Sequence, residues 1–132
     1  MKNIKYFFKT YYLTMIVAII ILLLSVLRFD KVSEKISFEW ADKAVHFIMY
    51  FFLCTVLLLN GSRYHKKQLS ILYLIWSGII VILYGVLMEF LQYFISYRGA
   101  SLYDMLANSF GVIFAIICFI FVSTLIFNGK RK

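Results

Sequence analysis

The chain has 132 residues, 64% of them apolar and 20% aromatic, with 15% charged and no proline. An ordinary soluble domain is roughly 45–50% apolar, so this composition excludes a soluble globule, a disordered tail and a collagen-like chain. A formal charge of +8 on so apolar a chain points to basic loops against anionic lipid, not to nucleic-acid binding.

The first apolar run covers residues 11–27. Lys2, Lys5 and Lys9 precede it as they would a secretory signal. The run is longer than the usual ~7–15-residue signal core, and no small-x-small cleavage pattern comes before Arg28, so a retained anchor is expected. Residues 28–42 are too charged to span. Phe29, Val32, Ile36 and Trp40 recur there at steps of three and four, which fits a short helix on the outer leaflet or an irregular loop with an aromatic anchor. The second run covers 44–59, the third 71–95 and the fourth 102–127. A span needs about 20 residues, with about 17 near the lower limit. The first two runs are short, and Phe7, Phe8, Trp40 and Ala41 extend them at the interface; the last two must tilt or project. Cys54 and Cys118 lie inside apolar runs without ligand spacing and read as free thiols packed as small hydrophobes. The expected fold is an all-α membrane protein, a single four-helix transmembrane bundle.

Orientation follows from the basic residues. Lys2, Lys5, Lys9, Arg63, Lys66, Lys67, Lys130, Arg131 and Lys132 fall on one side of such a bundle, and Arg28, Lys31, Lys35, Lys43 and Arg98 on the other. Nine against five predicts that both termini are cytoplasmic. All the acids, Asp30, Glu34, Glu39, Asp42, Glu89 and Asp104, lie toward the opposite, outer face.

An ionisable group at mid-bilayer costs roughly 2.5–3.5 kcal/mol on insertion scales. Asp42, His46, Glu89 and Asp104 nevertheless stand in or at the spans, with Gln92 and Asn108 beside them. Asp42, His46 and Tyr50 are spaced by four and share one face of the second helix. Glu89 and Gln92 share a face near the outer end of the third, and Asp104 and Asn108 near the outer start of the fourth. At about 1.5 Å per residue, His46, Glu89 and Asn108 each lie roughly 6–9 Å inside their helix ends. Arg98, in the short connection between the last two helices, reaches the same level. A single polar pocket opening outward is expected. Ala107, Gly111 and Ala115 form a small-x-x-x-small column that lets a neighbouring helix approach, and Ser77, Gly78 and Gly85 read similarly.

These residues resemble the VanZ-like family of membrane proteins. The resemblance is carried by Asp42-Lys43-x-x-His46-x-x-x-Tyr50, by Gly85-x-x-x-Glu89-x-x-Gln92, by Arg98, and by Ser101-x-x-Asp104-x-x-x-Asn108-x-x-Gly111. It covers residues 40–115, and departs from the family at Ala115, where a second glycine is common. The resemblance implies a small multi-pass protein of the bacterial cytoplasmic membrane, in a family linked with resistance to glycopeptides, notably teicoplanin. It implies no particular reaction.

Each polar group has a plainer reading beside the functional one. Ser101-x-x-Asp104 is a capping-box pattern, and Asp42 is a candidate cap for the second helix. Arg98, Glu89 and Asp104 together would make a structural ion network. His46, Glu89 and Asp104 would be a metal-ligand set, but with one histidine on this side no metal and no cofactor is expected. The function expected is recognition of an anionic lipid headgroup or a lipid-linked cell-wall precursor, with Asp42, Tyr50, Gln92, Arg98 and Asn108 as binding residues. The alternative is an enzyme on the same class of substrate, with His46 and Glu89 as acid and base and Asp104 orienting the histidine. A channel is disfavoured because the inner halves of the spans are almost wholly apolar.

Overall fold

A computed structural model describes residues 2–26, 39–65, 68–95 and 101–129. They form four helices: α1 (Lys2–Val26), α2 (Glu39–His65), α3 (Ile71–Ile95) and α4 (Leu102–Gly129). Within lipid every backbone N–H and C=O must be satisfied inside its own segment, so an apolar, proline-free chain of this kind becomes continuous helix. Serines start the last two helices. The Ser70 hydroxyl accepts from the Tyr73 amide at 3.3 Å, and the Ser101 hydroxyl accepts from the Asp104 amide at 3.4 Å, as N-cap residues do.

Each helix contains a stretch of at least 22 residues long and apolar enough to cross a membrane. The molecule is also inverted relative to a soluble protein. Its outward-facing side chains are large and apolar, among them Ile16, Phe52, Ile80, Phe94, Phe110 and Phe121. The buried set includes His46, Asn60, Ser77, Glu89, Gln92, Asp104 and Asn108. Such an arrangement is stable only where the surroundings are hydrocarbon and polar groups find one another inside the bundle. The protein is a multi-pass membrane protein with four transmembrane helices.

Among the described residues, α2 and α3 each touch all three other helices, whereas α1 and α4 do not touch. The closest and most extensive pairing is α2 against α4. The composition matches this placement: the α2 span has the lowest mean hydropathy of the four, 1.9, and the largest buried share, 44%. Gly111 sets the approach. A Cβ there would overlap the carbonyl oxygen of Phe47 and lie 3.0 Å from the Phe51 amide nitrogen, so the α4 backbone rests directly on that of α2.

Two helices exceed the apolar runs that announce them. α1 begins at Lys2 instead of residue 11, where Tyr6 and Phe7 pack against Tyr64 of α2, tilted and edge-on, with ring centroids 5.5 and 6.0 Å apart. α2 covers Glu39–His65 instead of 44–59. Its last turns are held by Asn60, which donates to the Thr14 hydroxyl at 2.8 Å, and by Gly61, whose missing side chain admits the Tyr73 ring. Asp42 therefore lies inside the first turn of α2 and is not the residue before it. Trp40 and Ala41 belong to the helix as well, with Trp40 exposed. The rest of the proposed interfacial segment, from Arg28 onward, lies outside the described residues. Cys54 is a buried free thiol and Cys118 a half-buried one.

Candidate functional site

The polar residues read from the sequence converge at one end of the bundle, where the start of α2, the end of α3 and the start of α4 meet. On α2 the four-residue spacing stacks Asp42, His46 and Tyr50 on the face turned to α3 and α4. Asp42 is half-buried, His46 is 4% exposed and Tyr50 is fully enclosed. On α3, Glu89 has no exposed surface and Gln92 is buried one turn beyond it. On α4, Asp104 and Asn108 are buried one turn apart.

His46 is the hub. Its Nδ1 lies 3.1 Å from the Asn108 Oδ1 and 3.5 Å from the Glu89 Oε1. An amide oxygen accepts, so Nδ1 is the donor toward Asn108, and in the neutral imidazole this leaves the lone pair on Nε2. One imidazole thus ties α2 to both α3 and α4. The second carboxylate oxygen of Glu89 faces the start of α4, where Oε2 accepts from the Ser101 amide over 3.5 Å.

That contact alters the capping reading. In a capping box the acid three residues after the cap turns back to the cap's own N–H. The Ser101 hydroxyl does cap the Asp104 amide, but the Ser101 N–H is taken by Glu89, an acid from another helix. The Asp104 Oδ1 is buried and has no hydrogen-bond partner among the described residues. The Tyr50 hydroxyl and the Asn108 Nδ2 are in the same condition. Gly85 admits this group: a Cβ there would lie 3.0 Å from the Tyr50 ring and 3.2 Å from the Asn108 Nδ2. Gly85 is therefore part of the site's architecture as well as a small residue for helix packing.

Asp42, His46 and Asp104 each bring a possible ligand atom within 4.8 Å of the other two. The set differs from the one weighed on sequence grounds, since Asp42 replaces Glu89, which is engaged with His46 and Ser101. Lys43 extends beside this end with its Nζ 5.8 Å from the centre of the Tyr103 ring, a cation–π distance. Arg98 lies outside the described residues.

A second polar cluster, at the opposite end, escaped the sequence reading. The Tyr11 and Tyr73 hydroxyls are 2.9 Å apart and Asn60 binds Thr14; at mid-span the Tyr84 hydroxyl donates to the Ala18 carbonyl at 2.6 Å. These bonds fasten α1 to α2 and α3. The available signal was Asn60-Gly61 at the end of an apolar run, a polar and a small residue where lipid would favour neither.

Comparison with known proteins bears on the family. Neither curated proteins nor solved structures give a significant match. The VanZ/LLP1 family matches residues 2–125, which takes in α1, α2 and α3 and all but the last turn of α4. The chain belongs to the VanZ/LLP1 family.

Proposed function

We propose that this protein binds an anionic lipid headgroup or a lipid-linked cell-wall precursor at the outer leaflet of the bacterial cytoplasmic membrane. The observation that carries the reading is a set of three buried polar atoms, Tyr50 Oη, Asp104 Oδ1 and Asn108 Nδ2, that the described residues leave without hydrogen bonds. Buried polar atoms are rarely left so, and a polar guest entering from the helix ends would use them. Arg98, by its place between α3 and α4, supplies a planar, bidentate donor for phosphate or carboxylate. Gln92 and Asn108 orient the remainder of the guest, with Tyr50 closing the base and Asp42 at the entrance. Both termini are cytoplasmic in this reading, which puts the cluster on the outer side.

The test is lipid analysis of purified protein. Wild type retains a defined envelope lipid or precursor in molar proportion, and Arg98→Lys loses it while eluting as the same monodisperse species. Equal retention by the variant would overturn the proposal. The family's link with glycopeptides extends the reading to teicoplanin tolerance, checked by the inhibitory concentration in cells expressing wild type or Arg98→Lys.

The contact between His46 Nδ1 and Glu89 Oε1 favours a second reading, an enzyme acting on the same guest. His46 and Glu89 would exchange the proton, and Asp104 would orient the imidazole. Turnover of the retained lipid by wild type, abolished in Glu89→Gln with the lipid still bound, separates catalysis from binding.

A further inference from the structure

We propose that Asp42, His46 and Asp104 form a binding site for one divalent first-row cation, zinc or manganese. These residues, from two helices, each bring one possible ligand atom within 4.8 Å of the other two. The Asp104 Oδ1 is more than nine-tenths buried and accepts no hydrogen bond from the described residues. A buried carboxylate oxygen without a hydrogen bond, close to a second carboxylate and an imidazole, is stabilised by a cation among them.

The neighbours arrange the donors for this purpose. Asn108 Oδ1 accepts at His46 Nδ1, with Glu89 Oε1 3.5 Å away, which in the neutral imidazole leaves the lone pair on Nε2, as the outer partners of metal-binding histidines do. Glu89 also takes the Ser101 N–H, which frees Asp104 from the reciprocal half of its capping box. Two carboxylates and one imidazole suit zinc or manganese better than calcium, which takes six to eight oxygens. Ligand atoms on one zinc are no more than about 4.4 Å apart, given bonds of about 2.0–2.2 Å. From the 4.8 Å limit the cluster closes by at least about 0.4 Å on loading. Three protein ligands leave coordination positions open.

The site stands without the ligand reading above, although an open position would receive a phosphate or carboxylate. It also answers a difficulty in that reading, because Asp42, Glu89 and Asp104 together would repel an anion that a bound divalent cation would attract.

The experiment is calorimetric titration of chelator-treated, detergent-purified protein with Zn²⁺ and with Mn²⁺ alone, paired with thermal unfolding. One equivalent of at least one ion binds at micromolar or tighter Kd and raises the melting temperature, and Ca²⁺ binds at least tenfold more weakly. Asp104→Asn and His46→Gln each remove the binding, and Asn108→Ala weakens it about 10–100-fold through the tautomer. His65→Gln, at the other end of α2, leaves it unchanged. Co²⁺ substitution gives a visible absorption band that disappears in His46→Gln, a readout independent of variant stability. No saturable binding by wild type overturns the proposal. So does binding that survives Asp104→Asn and His46→Gln, or binding lost in His65→Gln.

Discussion

Gly111 and Gly78 are both small residues on interhelical faces, yet they meet different neighbours. At Gly111 the obstacle to a Cβ is the backbone of Phe47 and Phe51, which cannot yield without moving α2. At Gly78 it is the Cδ1 of Ile116, 2.9 Å away at the end of a flexible side chain. Gly111→Ala is expected to cost about 1–3 kcal/mol by overpacking. Gly78→Ala stays within about 1 kcal/mol, because alanine favours helix over glycine by about 0.8–1 kcal/mol. Unfolding of both variants in one detergent checks the contrast. The polar residues separate in the same way. In chelator-treated protein Asp104→Asn leaves the melting temperature unchanged or higher, since the fold makes no hydrogen bond to Oδ1 and a buried charge is removed. Asn108→Leu lowers stability by about 1–3 kcal/mol because His46 Nδ1 loses an acceptor. The columns Asp42–His46–Tyr50 and Asp104–Asn108 were legible from spacing alone, since i and i+4 share a helix face whatever the tertiary fold. The choice of Glu89 over Asp104 as partner of the Ser101 amide was not, because it depends on how α3 is rotated against α4.

The elements themselves were largely legible, and their ends were not. Hydropathy identified four spans because hydrocarbon demands about 20 apolar residues in each. Helix length is set instead by backbone hydrogen bonding and by contacts at the ends, so packed rings helped carry α1 back to Lys2 and the Asn60–Thr14 bond helped carry α2 to His65. α1 gives the candidate site no side chain among the described residues, and it is attached by ring contacts, by buried Val17 and Ile21, and by the tyrosine and asparagine bonds. Hydrogen bonds between transmembrane helices average about 0.6 kcal/mol and reach about 1.7. Tyr84→Phe, which removes the bond to the Ala18 carbonyl, is expected to cost an amount in that range and to increase hydrogen exchange in α1. Retention of lipid and of metal is unchanged in this variant, because α2, α3 and α4 still hold the cluster.

For the whole molecule, the excess of Lys and Arg on the side of the termini predicts that both termini are cytoplasmic. A fluorescent protein fused after Lys132 is expected to be bright and alkaline phosphatase fused there inactive; the reverse pattern would turn the site toward the cytoplasm. The three-helix construction of the site also has a consequence for synthesis. Chain order is His46, then Glu89, then Ser101 and Asn108, and the first of these contacts each later partner or links to it through Glu89. When α3 carries its carboxylic acid into the bilayer during translation, the imidazole that receives it has already been delivered by α2. The α4 amide and serine arrive last and complete the arrangement. The most expensive side chain is thus never the first of its group to enter lipid. A nascent chain lacking α2 would bring Glu89 into the membrane without His46, at a cost below the roughly 2.5–3.5 kcal/mol of mid-bilayer, and its third segment would be the one that integrates less efficiently.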